Sequence, residues 1–194
     1  MDYRETPQSG KSYIHMWDVA STEEFNGGFA IEKSNLPATQ EKVLKGTFLK
    51  VDFNERIARV VKTAQLAEAI TAETTSVKVK KGAMLINGDI LGSGTKSVSV
   101  ANLDTTNPDY DTFTITAGAL GTVSAGSVLQ EYAEAGSSKP VVNPDGMAYT
   151  DSAIDALPSC TVIFKAFDIQ PLALPQPLTS AIVTALNKCQ FIIK

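Results

Sequence analysis

The sequence predicts a mainly β protein with a minor α component (α+β). The expected form is a small barrel or sandwich of short antiparallel strands, with an extended N-terminal arm and a short C-terminal helix. Three observations lead there. Apolar and polar residues alternate with a period of two in several short stretches. Turn residues, mainly Gly, Asn and Asp, separate those stretches. Near the C-terminus, Ile182, Ala185, Leu186 and Cys189 follow the i, i+3, i+4, i+7 spacing of a helix.

Residues 1–43 show little periodicity. Tyr3, Tyr13, Trp17, Phe25 and Phe29 are scattered among polar residues and the breakers Gly27-Gly28 and Asn35-Leu36-Pro37. Such an arm either docks on a partner, with its aromatic rings buried in the contact, or wraps its own domain. In the docking reading Tyr13, Trp17, Phe25 and Phe29 are the partner-binding residues, and deleting residues 1–30 leaves a folded protein.

Strands begin after Leu44, in a module expected over residues 44–135. Leu49, Val51 and Phe53 alternate with Lys50 and Asp52, which places the three apolar side chains on one inward face. Asn54-Glu55 breaks the run, and Ile57 to Val61 returns as its hairpin partner. Thr63 to Ala72 is either a short helix or a continuing strand. Val77 and Val79 alternate with Lys78 and Lys80 in a half-buried strand. Asn87-Gly88 predicts a type I′ hairpin joining Met84–Ile86 to Asp89–Leu91. Val98 and Val100, then Phe113 and Ile115, then Val123, Val128 and Leu129 supply the remaining strands.

A third segment, residues 136–194, opens with a polar loop at Gly136–Pro140. A β-branched and aromatic strand follows over Thr161–Phe167, then an extended stretch from Pro171 to Pro177. Thr179 or Ser180 caps the helix, and the chain finishes in a strand from Gln190. A helix and strand of this kind need a surface to pack on, and Ile182 and Leu186 are the expected oligomer contact.

Composition narrows the function. The 194 residues are 43% hydrophobic and 20% charged, so a packed core is expected rather than disorder. A net charge of −4 argues against a nucleic-acid partner, because phosphate binding needs an excess of Lys and Arg. One His excludes any site built on two imidazoles. Neither an apolar leader nor a run long enough to span a bilayer is present, so no membrane role is expected. Cys160 and Cys189 sit among apolar neighbours, and two buried thiols are a simpler reading than a disulfide.

No catalytic or metal-ligating set emerges. Ser9-Gly10-Lys11-Ser12 has Glu5 where a phosphate-binding loop needs its first glycine. Gly92–Ser97 leads into a strand, so it lacks the aligned N–H groups of a helix start and reads as a hairpin loop. Asp104, Asn107, Asp109 and Asp111 offer hard oxygen ligands but not the spacing of a calcium loop, and such residues more often build turns. His15 has no marked nucleophile near it in sequence. The expectation is a non-enzymatic protein with no cofactor and no metal.

Several short motifs resemble bacteriophage virion proteins, namely the head-fibre and capsid-decoration (auxiliary capsid) proteins of phages infecting Bacteroides-like gut bacteria. They are Ser76-Val-Lys-Val-Lys-Lys-Gly82, Asn87-Gly-Asp-Ile-Leu91, Asp109-Tyr-Asp-Thr-Phe-Thr-Ile115, Leu120-Gly121 and Gly126-Ser-Val-Leu129. Asn35-Leu36-Pro37, Lys45-Gly-Thr-Phe-Leu49, Val60-Val-Lys-Thr-Ala64 and Leu174-Pro175 extend the likeness over residues 30–194. The resemblance implies a structural protein, assembled in the host bacterial cytoplasm, that binds the outside of a capsid and is often trimeric. It makes the major capsid protein the expected partner, a homotrimer the expected assembly and the virion surface the expected location. A glycan-binding adhesion module is the alternative. It would need exposed aromatic platforms and a calcium-dependent Asp104–Asp111 loop. A depolymerase is the weakest reading.

Overall fold

The computed structural model describes residues 15–192. The chain is mainly β, as the alternation predicts, with one short helix at Ser180–Ala185. Its strands gather around two bodies of core, here called the base and the insert.

The base is an eight-stranded sheet. Its order runs Asp18–Glu24, Val162–Ile169, Gly146–Ala148, Phe48–Asp52, Ile57–Val60, Phe29–Ile31 and Ser159–Cys160, with Cys189–Phe191 also pairing on Val162–Ile169. At its centre is the predicted hairpin, in register Leu49↔Val60 and Val51↔Ala58. Alternation along each strand feeds two cores on opposite faces. Leu49, Val51, Ala58, Val60 and Val162 join Phe29, Ile31 and Cys160 on one face. Phe48, Met147 and Ile163 join Trp17, Ile182, Leu186 and Cys189 on the other. Both faces need cover, so residues 17–36 and 182–189 are drawn onto the sheet. Gly146 is where strands pass most tightly, since a Cβ there would lie 2.3 Å from the Ile163 carbonyl oxygen.

The insert leaves the base after Val61 and returns before Val142. One sheet runs Gly136–Ser137, Lys96–Ser99, Ile90–Ser93, Val128–Glu131, Thr63–Gln65, and a second runs Ala101–Asp104, Tyr110–Thr114, Ser76–Lys80. A bridge between Leu66 and Val79, with the Ala67 N–H donating to the Lys78 carbonyl at 2.9 Å, joins them around one core. Val77, Val79, Leu91, Phe113 and Leu129 fill that core. The Thr63–Ala72 stretch, left open between helix and strand, starts as the strand Thr63–Gln65.

Several expectations are corrected. The structure divides near Val61 rather than at residue 44, because residues 48–60 pair with Phe29–Ile31 on one side and Gly146–Ala148 on the other. The described part of the arm, residues 15–43, is not an appendage. Trp17 is 1% exposed and Phe29 is fully buried, so both serve the chain's own core rather than a partner. Ile182 and Leu186 lie under the helix against Phe48 and Met147, which removes them as an oligomer contact. Phe53 faces outward at 52% exposure, because the strand ends at Asp52 and the chain turns there.

Asn87-Gly88 does form a turn, closed by the Asp89 N–H donating to the Ile86 carbonyl at 3.2 Å. Only Gly88 has positive φ, so the turn has the type II pattern rather than type I′. The hairpin forms one step later, between Ile90–Ser93 and Lys96–Ser99. The helix start follows the sequence: Thr179 is the N-cap, its Oγ1 accepting from the Ile182 N–H at 3.2 Å. Pro171–Ala173 forms a 3-10 turn inside the stretch read as extended.

Two stability predictions follow from this placement. Ile182→Ala should cost about 2–5 kcal/mol in urea denaturation, the range for truncating a fully buried aliphatic side chain. Deleting residues 1–30 should abolish cooperative unfolding of the base, since it removes Trp17 and Phe29, and a folded deletion product would show the core closing without them.

Candidate functional site

Charged groups reach full burial where the two bodies meet. The outgoing strand Ile57–Val60 carries Arg59, Lys62 follows at the crossing, and the returning strand Val128–Glu131 brings Glu131. Glu131 is the hub. One carboxylate oxygen pairs with the Arg59 guanidinium, and the other accepts from the Lys62 N–H at 3.0 Å. Its backbone N–H donates to the Lys62 carbonyl at 2.9 Å, and its carbonyl accepts from the Val142 N–H at 2.8 Å. The Lys62 side chain is fully buried and its Nζ lies 2.6 Å from Asp89 Oδ2. That oxygen also accepts from the Ile86 N–H at 2.7 Å, which draws residues 84–86 towards the junction and away from hairpin pairing.

Burial dominates the electrostatics. It holds the Lys62 ammonium below its ordinary value, against the raising effect of Asp89 and Glu131. It pushes the Glu131 carboxyl up, against the hydrogen bond from Lys62 and the charge of Arg59. Neutral side chains seal the same junction. Gln176 accepts from the Phe48 N–H at 2.8 Å and donates to the Val61 carbonyl at 2.8 Å, and Asn35 donates to the Val60 carbonyl at 2.8 Å. This is a structural network, in which the buried charges are turned on one another and Gln176 and Asn35 bond to backbone groups.

The residues singled out by sequence are dispersed. Tyr13 and Ser9–Ser12 lie outside the described residues. Trp17 has the Lys45 ammonium 4.5 Å from its ring centroid, and Phe29 has the Arg56 guanidinium at 4.1 Å. Phe25 alone of the described arm aromatics keeps a partly exposed ring. It packs on Phe53 at 4.9 Å and Phe164 at 4.7 Å, a half-exposed cluster that alternation did not foretell. Asp104 accepts from the Thr106 N–H and hydroxyl at 2.9 and 2.7 Å, while Asn107 accepts from the Asp109 N–H at 2.9 Å. Asp111 pairs with Lys81 at 2.5 Å. These side chains build turns and one ion pair. Among the described residues, no group of three or more His, Cys, Asp or Glu side chains is placed to hold a metal ion. Cys160 and Cys189 are free and buried, and burial raises both thiols to about 11.

One open cleft, of about 470 Å³, lies between the insert and the proline-rich stretch. Thr63, Gln65, Lys80 and Ala83 line one side, and Leu172, Leu174, Pro175 and Leu178 the other. Thr63 Oγ1 is buried with no hydrogen-bond partner.

The motif likeness has no counterpart in wider comparison: no protein-family model, no curated protein and no solved structure matches the chain. No helix among the described residues is long and apolar enough to cross a membrane.

The junction was missed by sequence reading because its partners are 27 to 72 residues apart. The one local cue is a lysine inside the apolar run Val60–Ala64. Lys62→Met should cost about 3–5 kcal/mol by leaving Asp89 buried and unpaired, and Lys62→Met/Asp89→Leu should recover most of that loss in urea denaturation. The Glu131 carboxyl sits above its ordinary 4.5 in the folded state, so the fold holds that proton more tightly than the unfolded chain does. Its stabilising contribution therefore grows as pH falls through the raised folded-state value and is complete below 4.5. Relative to Glu131→Gln, the wild type should gain stability over that acid range. The opposite slope would mean that the Arg59 pair outweighs burial.

Proposed function

We propose that this chain is a non-enzymatic virion structural protein that binds the outer surface of a phage capsid, as a head fibre or decoration protein. Its partner in this reading is the major capsid protein, its assembled form a homotrimer, and its place the virion. The observation that carries the proposal is the architecture. Asp18–Glu24 and Cys189–Phe191 both belong to one base, and a second β body is carried on two crossing strands locked by Arg59, Lys62, Asp89 and Glu131. A locked two-body protein presents the insert in a fixed direction, which suits a projecting or cementing role. The buried charges hold the two bodies together and do not converge on a cleft. The motif resemblance supplies the phage context, and the net charge of −4 weighs against nucleic-acid binding.

One observation favours the glycan-binding alternative: Phe53, at 52% exposure, forms an aromatic surface with Phe25. Against it, Phe53 packs edge-on to Phe25 at 85°, the Asp104 carboxylate accepts from Thr106 within its own turn, and Asp111 is paired with Lys81.

Capsid attachment is tested by co-sedimentation of the purified chain with assembled capsids, alongside light scattering of the free protein. The expected result is a trimer that sediments with the shell. A chain left in the supernatant, with calcium-dependent binding on a glycan array, would replace this reading with the adhesion module.

A further inference from the structure

Lys62 is the one lysine among the described ion pairs that water does not reach. Its side chain is 0% exposed, and its Nζ lies 2.6 Å from Asp89 Oδ2. In the other lysine–carboxylate pairs among the described residues the lysine side chain is at least 32% exposed, so its ammonium stays hydrated. Arg59, the other cation of the junction, cannot give up its proton. A lysine can, and burial holds the Lys62 ammonium below its ordinary value. Once deprotonated, Lys62 is a nucleophile held against a carboxyl group.

Both residues are pinned through their backbones. Lys62 donates its N–H to Glu131 Oε2 at 3.0 Å, and its carbonyl accepts from the Glu131 N–H at 2.9 Å. Asp89 donates its N–H to the Ile86 carbonyl at 3.2 Å, and its carbonyl accepts from the Val100 N–H at 2.6 Å. The strands that follow them, Thr63–Gln65 and Ile90–Ser93, pair on opposite sides of Val128–Glu131. The Lys62–Asp89 contact therefore spans that central strand. Asp89 Oδ2 also accepts from the Ile86 N–H at 2.7 Å, a donor placed to stabilise negative charge on that oxygen. Both hydrogen bonds to the carboxylate from the described residues fall on Oδ2 and none on Oδ1. Asp89 keeps 9% exposure, enough contact with solvent for a released water to leave.

We propose that Lys62 and Asp89 condense to an intramolecular amide, a covalent cross-link between the crossing and the insert. A proton passes from Nζ to the carboxylate along the existing contact, leaving a neutral amine beside a neutral acid. The Nζ lone pair then forms the N–Cγ bond, while Oδ2 takes the developing charge against the Ile86 N–H. Two of the three Nζ protons end on Oδ1, which leaves as water when the Cγ–Oδ1 bond breaks. Oδ2 becomes the amide oxygen and the third proton stays on nitrogen, so no oxidant, reductant or co-reactant is needed. Amide formation from separate amine and acid is unfavourable in water. Groups fixed in contact react with effective molarities of about 10⁵–10⁸ M, and burial keeps bulk water from reversing the step. The cross-link goes beyond the capsid reading and does not depend on it. It persists in the unfolded chain and so stabilises beyond the ionic contact. Lys62→Met loses both effects, and Lys62→Met/Asp89→Leu restores the part due to the stranded charge.

The test is the intact mass of the purified full chain, with a tryptic digest of the same sample. The chain should be one water lighter than its sequence. The peptide 60–78, uncut at Lys62, should be joined to the peptide 82–96, which holds Asp89. Lys62→Arg keeps the positive charge but offers no free amine, and it should carry its full sequence mass. A wild type at full sequence mass, a lost water without the branched peptide, or a Lys62→Arg chain lighter by the same water would overturn the cross-link. The wild-type mass decides the matter even where Lys62→Arg fails to fold. Capsid co-sedimentation on the same sample separates the two claims. A cross-linked chain left in the supernatant overturns capsid binding alone, and an uncross-linked chain that sediments overturns the cross-link alone.

Discussion

The structure depends on a buried ion-pair junction at the point where the chain passes from one core to the other. Glu131 touches Arg59 and Lys62 through its side chain and hydrogen-bonds to Lys62 and Val142 through its backbone. Lys62 in turn reaches Asp89 inside the insert. Ionised groups cost several kcal/mol to desolvate, so this arrangement adds little net stability. What it contributes is direction. An apolar seam would tolerate sliding, whereas each charge here has one partner position that satisfies it. The relative placement of the two bodies follows from those positions.

Everything else in the base follows from a sheet that is apolar on both faces. A hairpin such as Phe48–Val60, with Phe48 on one side and Leu49 on the other, cannot be stable with either side in water. Residues from both ends of the chain are recruited as cover. Trp17 and the Ser180–Ala185 helix close one face, while Phe29 and Leu36 close the other. A segment with no periodicity of its own is thus ordered by the burial it provides. Sheet edges are kept from further pairing by irregularity: Asp18–Glu24 shows two register shifts, and Asn102 takes positive φ within the edge strand Ala101–Asp104.

Polar side chains inside the protein serve the fold. The polar side chains that reach the interior, including Gln176, Asn35 and Gln130, bridge backbone groups across the junction. In the Asp104–Asp111 loop, the Asp104 carboxylate and the Asn107 amide hold turns, and Asp111 pairs with Lys81. Surface character then rests with a few apolar side chains on stiff turns, Leu157 and Leu172 above all, and with the half-exposed Phe25–Phe53 cluster.

Local patterning determined the β class, the Leu49–Val60 hairpin, the Val77–Val79 strand and the Thr179-capped helix. In each case the signal lies within a few residues, as alternation or as a capping hydroxyl, and neighbouring side chains are enough to express it. The turn at Asn87-Gly88 was legible too, but its type was not, because Asp89 is pulled to Lys62 from 27 residues away. The same limit hid the junction and misplaced the arm. No local property of Trp17 or Phe29 distinguishes an aromatic ring that meets a partner from one that meets its own sheet. Only the tertiary structure decided that, because burial is a property of the surface a residue finds, and that surface was assembled from segments more than a hundred residues apart.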